Sequence, residues 1–326
     1  MGQRNGKVCP FQINTTQSRD HYSLCGRLRA WGEPYRPLFK TMDKNNQITG
    51  GLLPLKEDKR DFTLGGIYGK RDMSLVPDYD FVVGNPIKIK NQFVSDFCTA
   101  FAGTAVSEDQ EKIELSPEYL FAKEKELIGN YKSWGCDLRT ACKALVNYGC
   151  IEKELSPYDL LNQERDFIAN PRNWDKVFDK DATKHKKKSY FAVDIQGDIF
   201  DSFRSAMWEN IDQKCSILTG CVWEREWTDA EGGIIPEKIG TPVEGHAFKI
   251  FGQKNIAGQL YLVAQLSNGD EIGDKGIFYF SREVVNRVFK SFGAFMFIDE
   301  DSGYYKKNHW TFSQKILNIF KKIFRQ

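Results

Sequence analysis

The spacing of apolar residues changes period once along the chain, near residue 185, and any fold must honour both halves. From about residue 75 to 180 the spacing is helical: Cys98 to Val106 is rich in Ala, Phe and Thr, and Pro117 to Ile128 and Leu138 to Asn147 are amphipathic. From Tyr190 onward short alternating runs take over, at Ile217 to Trp223, His246 to Phe251, Gln259 to Leu266, Gly276 to Phe280 and Ala294 to Ile298, with Phe200 to Asn210 as one intervening helix. The pattern predicts an α+β architecture with a helical half over about 75–185 and an antiparallel β half, sheet or barrel, over about 190–300. Concave sites commonly form at such a boundary. With 326 residues, 41% of them hydrophobic, the chain has ample material for this core plus extensions.

Each half carries one chemically suggestive residue. Asp96 is a good N-cap, so the helix is expected to open at or just before Cys98, placing the thiol in its first turn. Free N–H groups and the positive end of the helix dipole there favour thiolate over thiol. Gln92 lies in the loop leading in, where its side-chain amide and the Cys98 N–H form a candidate oxyanion hole. In the β half, Gly245 gives close backbone approach and His246 starts an alternating run. His21 lies in irregular sequence, His185 in a basic run and His309 in a polar tail, so His246 is the candidate general base and acid. Each residue alone has an ordinary structural reading. The combined spacing points to thiol chemistry.

Gln92-x5-Cys98-x-Ala100-Phe101 resembles the active-site signature of the papain-like cysteine peptidases, and looks closest to their bacterial and phage-like branch, over roughly Gly50 to Phe280. Leu53-Pro54 with Arg60-Asp61-Phe62 resembles the short segment that precedes the mature domain there. Leu115 to Leu120, Leu138 to Gly149 with Ser156-Pro157-Tyr158, Gly232 to Pro236, Gly245-His246-Ala247 and Gly273 to Gly276 resemble further family segments. The resemblance implies a two-subdomain fold with the site in the cleft, no metal or organic cofactor, and peptide hydrolysis through a thioacyl intermediate: Cys98 as nucleophile, His246 as base and acid, Gln92 at the oxyanion.

The sequence departs from the family in two places. Aligned on Ser267-Gly269 and Gly273-Gly276, Leu266 stands where the histidine-orienting asparagine belongs and Asn268 where a shielding tryptophan belongs. Residues two apart on a strand share a face, so Asn268 is the expected substitute from one pleat further along. Ser95 stands where many secreted members carry a disulfide cysteine. The eight cysteines are scattered with no C-x2-C pair, and reduced thiols are the default reading. The alternative from another class is a catalytically degenerate member kept as a peptide-binding or structural module, supported by Leu266. Another keeps thiol chemistry but acts on cell-wall peptides or transfers acyl groups.

A formal net charge of +2 gives no electrostatic reason to expect nucleic acid, and Lys184 to Lys188 reads as a solvated loop between the halves. No stretch approaches the ~20 apolar residues of a spanning helix, and Met1 to Gly6 is neither a signal peptide nor a myristoylation site. A cytoplasmic or particle-associated protein is therefore expected. Residues 1–49 read as an irregular extension, either pro-segment-like or an ordinary arm, ahead of a peptidase domain at 50–300. In 301–326, Phe312, Ile316, Ile319, Phe320 and Ile323 recur at helical spacing among Lys and Arg. This basic amphipathic helix, 312–326, suits a membrane surface, a partner protein, or its own domain. Trp223, Trp227 and Ile234 read as core aromatics or as the lining of an apolar pocket.

Overall fold

The computed structural model describes residues 50–55, 58, 73–84 and 86–298. The extension 1–49, Arg60-Asp61-Phe62 and the helix expected at 312–326 lie outside the described residues. The helices are α1 (Cys98–Glu111), α2 (Pro117–Ile128), α3 (Leu138–Asn147), α4 (Arg165–Ala169), α5 (Val177–Ala182), α6 (Ile199–Glu209) and α7 (Arg282–Val288). The strands are β1 (Phe81–Val82), β2 (Ser189–Ala192), β3 (Ile217–Glu224), β4 (Pro242–Ile256), β5 (Gln259–Gln265), β6 (Ile277–Ser281) and β7 (Ala294–Ile298).

Local chemistry sets several of these boundaries. Ser116 accepts from the Tyr119 N–H and Pro117 occupies the first turn, so α2 starts there; it stops at Gly129, whose φ of 75° suits a residue without Cβ. Asp137 caps α3 by accepting from the Thr140 N–H at 3.1 Å. Losing such a cap costs about 1 kcal/mol. The helix that opens at Cys98 is different. Its N-cap is Phe97, with no side-chain cap, because the Asp96 carboxylate is drawn elsewhere.

The strands form one open antiparallel sheet in the order β2-β7-β3-β4-β5-β6, with β1 against β4. Of the two forms expected for the β half, it is the sheet. Two cores lie on its opposite faces. One gathers Phe203, Trp223, Phe248, Phe280 and Phe289 with α6 and α7. The other joins α1, α2 and α3 to Leu218, Ala247, Phe295 and Phe297. Strand alternation does the sorting: in β3 and β4, Leu218 and Ala247 face the helices, whereas Cys221 and Phe248 face the aromatic core.

Helix α1 runs through the middle with twelve of its fourteen residues buried. An all-round buried helix must neutralise its own charges. Glu108 pairs with Lys90, and Asp109 with Lys249 of β4 at 2.8 Å, all four side chains buried. The basic run is also less solvated than its composition suggests. Lys184, Lys186 and Lys188 are exposed, but His185 and Lys187 turn inward to Glu111 at the end of α1. The alternation that leads into β2 decides which cation is buried.

Candidate active site

The Cys98 loop is stitched to the chain beyond β5. The Gln92 N–H donates to Ser267 O at 2.7 Å, the Gly269 N–H to Lys90 O at 3.0 Å, and Asn91 bridges Asn268. This stitching brings Gln92 and Asn268 to one place. Gln92 is fully buried, accepts from Ser267 Oγ at 2.6 Å and donates from Nε2 to Ser95 O at 2.9 Å. Its amide is thereby held beside the turn that enters α1. Phe93, next in sequence, adopts φ 51°, a left-handed conformation that costs a non-glycine residue of order 1 kcal/mol.

Cys98 begins α1 as expected, yet its thiol is pushed up to about 12, not down. Burial is the main cause, because a sulfur with no exposed surface cannot be solvated as an anion; the charges of Glu124 and Asp96 add to it. Two N–H groups, of Ala247 and Gly51, approach the sulfur and oppose the shift. The thiolate expected at a helix N-terminus is therefore not favoured here. Desolvation outweighs one helix dipole.

His246 pairs with Cys221 of β3, one residue before the Ala247 whose N–H meets the sulfur. Its ring lies edge-on to Trp223, centroids 6.0 Å apart, and tilted against Phe248 at 6.3 Å. Burial lowers its pKa to about 4, and the Asn268 side chain acts in the opposite direction. That contact falls short of a formed hydrogen bond: both ring nitrogens and Asn268 Oδ1 are buried without a partner of normal geometry. The amide is near enough to be felt electrostatically and not yet seated. No hydrogen bond joins the ring to Cys98 either. Leu266 is 1% exposed and belongs to the aromatic core. Trp223 and Trp227 are also core residues, whereas Ile234 is 36% exposed.

The segment beginning at Gly50, whose Leu53-Pro54 resembles the stretch that precedes the mature domain in the family, lies against the thiol. Gly50 donates to Glu244 Oε2 at 3.0 Å, and the N–H groups of Gly51 and Leu52 donate to Gly245 O at 3.1 and 3.0 Å. On the other side the Cys136 N–H donates to Gly51 O at 2.8 Å, and Leu53 donates to Cys136 O at 2.9 Å, a parallel pairing of Leu52 with Cys136. This strap fits because side chains are missing. A Cβ on Gly50 would collide with Gly245 O, one on Gly51 with Asp96 O, and one on Gly135 with Gly51 O. The Leu52 side chain sits where Gly220 has none, among Cys98, Leu218, Ala247 and Phe292.

Sequence reasoning also missed the polar groups around the thiol. Glu124 of α2 is buried, accepts from Thr99 Oγ1 at 2.7 Å, and is pushed up by that burial. Asp96 accepts from the Gly135 N–H and from Arg165. The Gly50-Gly51 pair was the visible signal for a close backbone crossing. Among the described residues no cluster of His, Cys, Asp and Glu has the arrangement of a metal site, and no helix is long and apolar enough to cross a membrane. An open cavity of about 440 Å³ lies at the other end of α1, lined by Lys112 and Lys214 among others, away from the thiol.

No family model matches the chain, and no curated protein matches it in sequence. Solved structures do match. Xylellain, a cysteine protease from Xylella fastidiosa, superposes with a TM-score of 0.65 at 17% identity, covering 79% of this chain and 98% of that one. The ragweed pollen cysteine protease Amb a 11, in its proform, gives 0.54 at 18% identity over 72% and 71%. Procathepsin B S9 from Trypanosoma congolense gives 0.53 at 14% over 77% and 82%. Helices α1, α2 and α3 against one face of an antiparallel sheet and α6 and α7 against the other, with α1 opening at Cys98 against the strand of His246, give the chain the fold of the papain-like cysteine proteases.

Proposed function

We propose that the chain is a thiol peptidase of the bacterial and phage-like branch, with an altered asparagine motif, held closed by its own Gly50–Leu53 strap. One observation carries the reading: a cysteine at the first turn of a buried helix meets the strand residue that follows a buried histidine. The functional domain is taken as 50–300, and its setting as cytoplasmic or particle-associated. When the strap withdraws, a peptide takes its place and water regains access to the sulfur. Cys98 Sγ attacks the scissile carbonyl carbon, and its proton passes to the His246 imidazole. Gln92 Nε2 and the Cys98 N–H receive the oxyanion. Collapse of the adduct breaks the C–N bond, and His246 gives its proton to the leaving amine. A water, deprotonated by His246, then releases the acid and restores the thiol. Asn268 orients the ring from the position beside it.

The strap is held on both sides, its Gly51 N–H by Gly245 O and its Gly51 carbonyl by the Cys136 N–H, so it occupies the place a peptide would take. Two neighbours by fold are themselves proforms, which agrees with a closed arrangement. The test is labelling by a peptide-like thiol probe with parallel peptide hydrolysis. Wild type is expected to label and cleave, and Cys98→Ala to do neither. A second reading, a degenerate peptide-binding module, is favoured by Leu266 in the core and by the unpaired imidazole nitrogens. Labelling without turnover on peptides or peptidoglycan fragments would support it.

A further inference from the structure

The loop that carries Cys98 and the loop that pairs with a chain lying in the cleft are separate pieces of backbone, tied by one charged knot. Asp96, two residues before Cys98, is fully buried. Its Oδ1 accepts from Arg165 Nε at 2.9 Å, and its Oδ2 from Arg165 Nη2 at 2.6 Å and from the Gly135 N–H at 2.5 Å. The same guanidinium continues to Tyr131 O and Ser133 O, each at 2.6 Å, and lies over the Phe121 ring at 5.5 Å. Its fifth N–H goes to Asp166 at 2.8 Å. Gly135 leads into Cys136, whose N–H and carbonyl hold the main chain of the strap. The Asp96 carbonyl forms the opposite wall, against Gly51.

We propose that Arg165 is a positioning residue for the reaction: through Asp96 it fixes the gap between the Cys98 sulfur and the Cys136 main-chain rail, and it partly offsets the Asp96 charge beside the thiol. The proposal rests on the peptidase reading for its kinetic half only. A planar fork with every N–H engaged sets both distance and angle, which a lysine ammonium does not. Lys125 cannot substitute for it, because its Nζ is committed to Ser133 O and Gly135 O. Elements 69 residues apart in sequence are thus joined by a buried ion pair. The ionisable groups acting on Cys98 are Asp96 on its own loop and Glu124 from α2; Cys136 and Lys125 stand beside Glu124, and Arg165 from α4 beside Asp96.

Three variants of the full chain separate the two roles: Arg165→Lys, Arg165→Gln, and Arg165→Gln with Asp96→Asn. The readouts are KM and kcat for a peptide, and the pH dependence of iodoacetamide alkylation mapped to Cys98 by mass spectrometry. Arg165→Lys is expected to raise KM about tenfold with kcat and the alkylation midpoint little changed. Arg165→Gln is expected to raise KM similarly and move the midpoint up by about one pH unit, because Asp96 is left uncompensated. The double variant is expected to return the midpoint towards wild type and leave KM high. If Arg165→Gln does not fold, Asp96→Asn alone decides the electrostatic half, with an expected downward midpoint. An alkylation profile identical in every variant overturns the electrostatic half, and an unchanged KM the positional half. A wild type that cleaves nothing removes the peptidase reading and leaves the alkylation result standing.

Discussion

The two faces of β4 solve the problem of burying polar groups in opposite ways. Towards the helices, Lys249 is inaccessible to water and paired with Asp109, and the whole Cys98 side is laced by Gln92, Ser95, Ser267, Asp96 and Arg165. Towards the aromatic core, His246 sits among Trp223, Phe248 and their neighbours with both nitrogens unpaired. The helix face pairs its buried charges, although Glu124 Oε1 and Asp109 Oδ2 stay without a partner. The other holds an imidazole without a hydrogen-bond partner, buried among aromatic rings.

The strongest way to break the comparison is to remove either end of the proton path. Cys98→Ala and His246→Ala are each expected to lower peptide hydrolysis by ~10³-fold or more, with little loss of folding, measured as initial rates beside thermal melts. On the ion-paired face, Lys249→Ala leaves Asp109 buried without its cation and is expected to cost about 3–5 kcal/mol in urea unfolding. An equal loss from a mutation of neutral Ala247 would show that packing, not charge, dominates that face.

The imidazole face predicts a pH dependence. His246 has a folded pKa lowered to about 4 from 6.5, so between these values the unfolded chain binds more protons. The stabilisation is whole above about 6.5 and falls away as pH drops through 4, by at most about 3 kcal/mol at 1.36 kcal/mol per unit. Equilibrium unfolding at several pH values measures it, and His246→Phe should flatten that slope. The smaller effects sharpen the picture. Gly51→Val is expected to expel the strap and speed Cys98 alkylation about tenfold, by the clash of order 1–3 kcal/mol that an added side chain meets. Asn268→Ala is expected to lower kcat a few-fold with KM unchanged; an unaltered kcat would rule out its orienting role.

What the sequence made legible was local. Amphipathic spacing marks Pro117–Ile128 and Leu138–Asn147 with their ends in place, and Ile199–Glu209 is legible to within one residue. Residues that act over distance were not legible. Asp96 looks like a cap because its true partners, Gly135 and Arg165, are 39 and 69 residues away. The elevated Cys98 thiol depends on its total burial, which the strap and two separate strands complete, and no reading of the helix alone contains that. The inward turn of His185 and Lys187 needed Glu111, at the far end of α1.

The parallel lie of Leu52 beside Cys136, hydrogen-bonded on both flanks, has a consequence for how such a molecule would be governed on the proposed peptidase reading. A cover held by hydrogen bonds alone can be released without being cut. Incoming polypeptides would then compete with it on every visit, and turnover would follow their concentration without an irreversible first step.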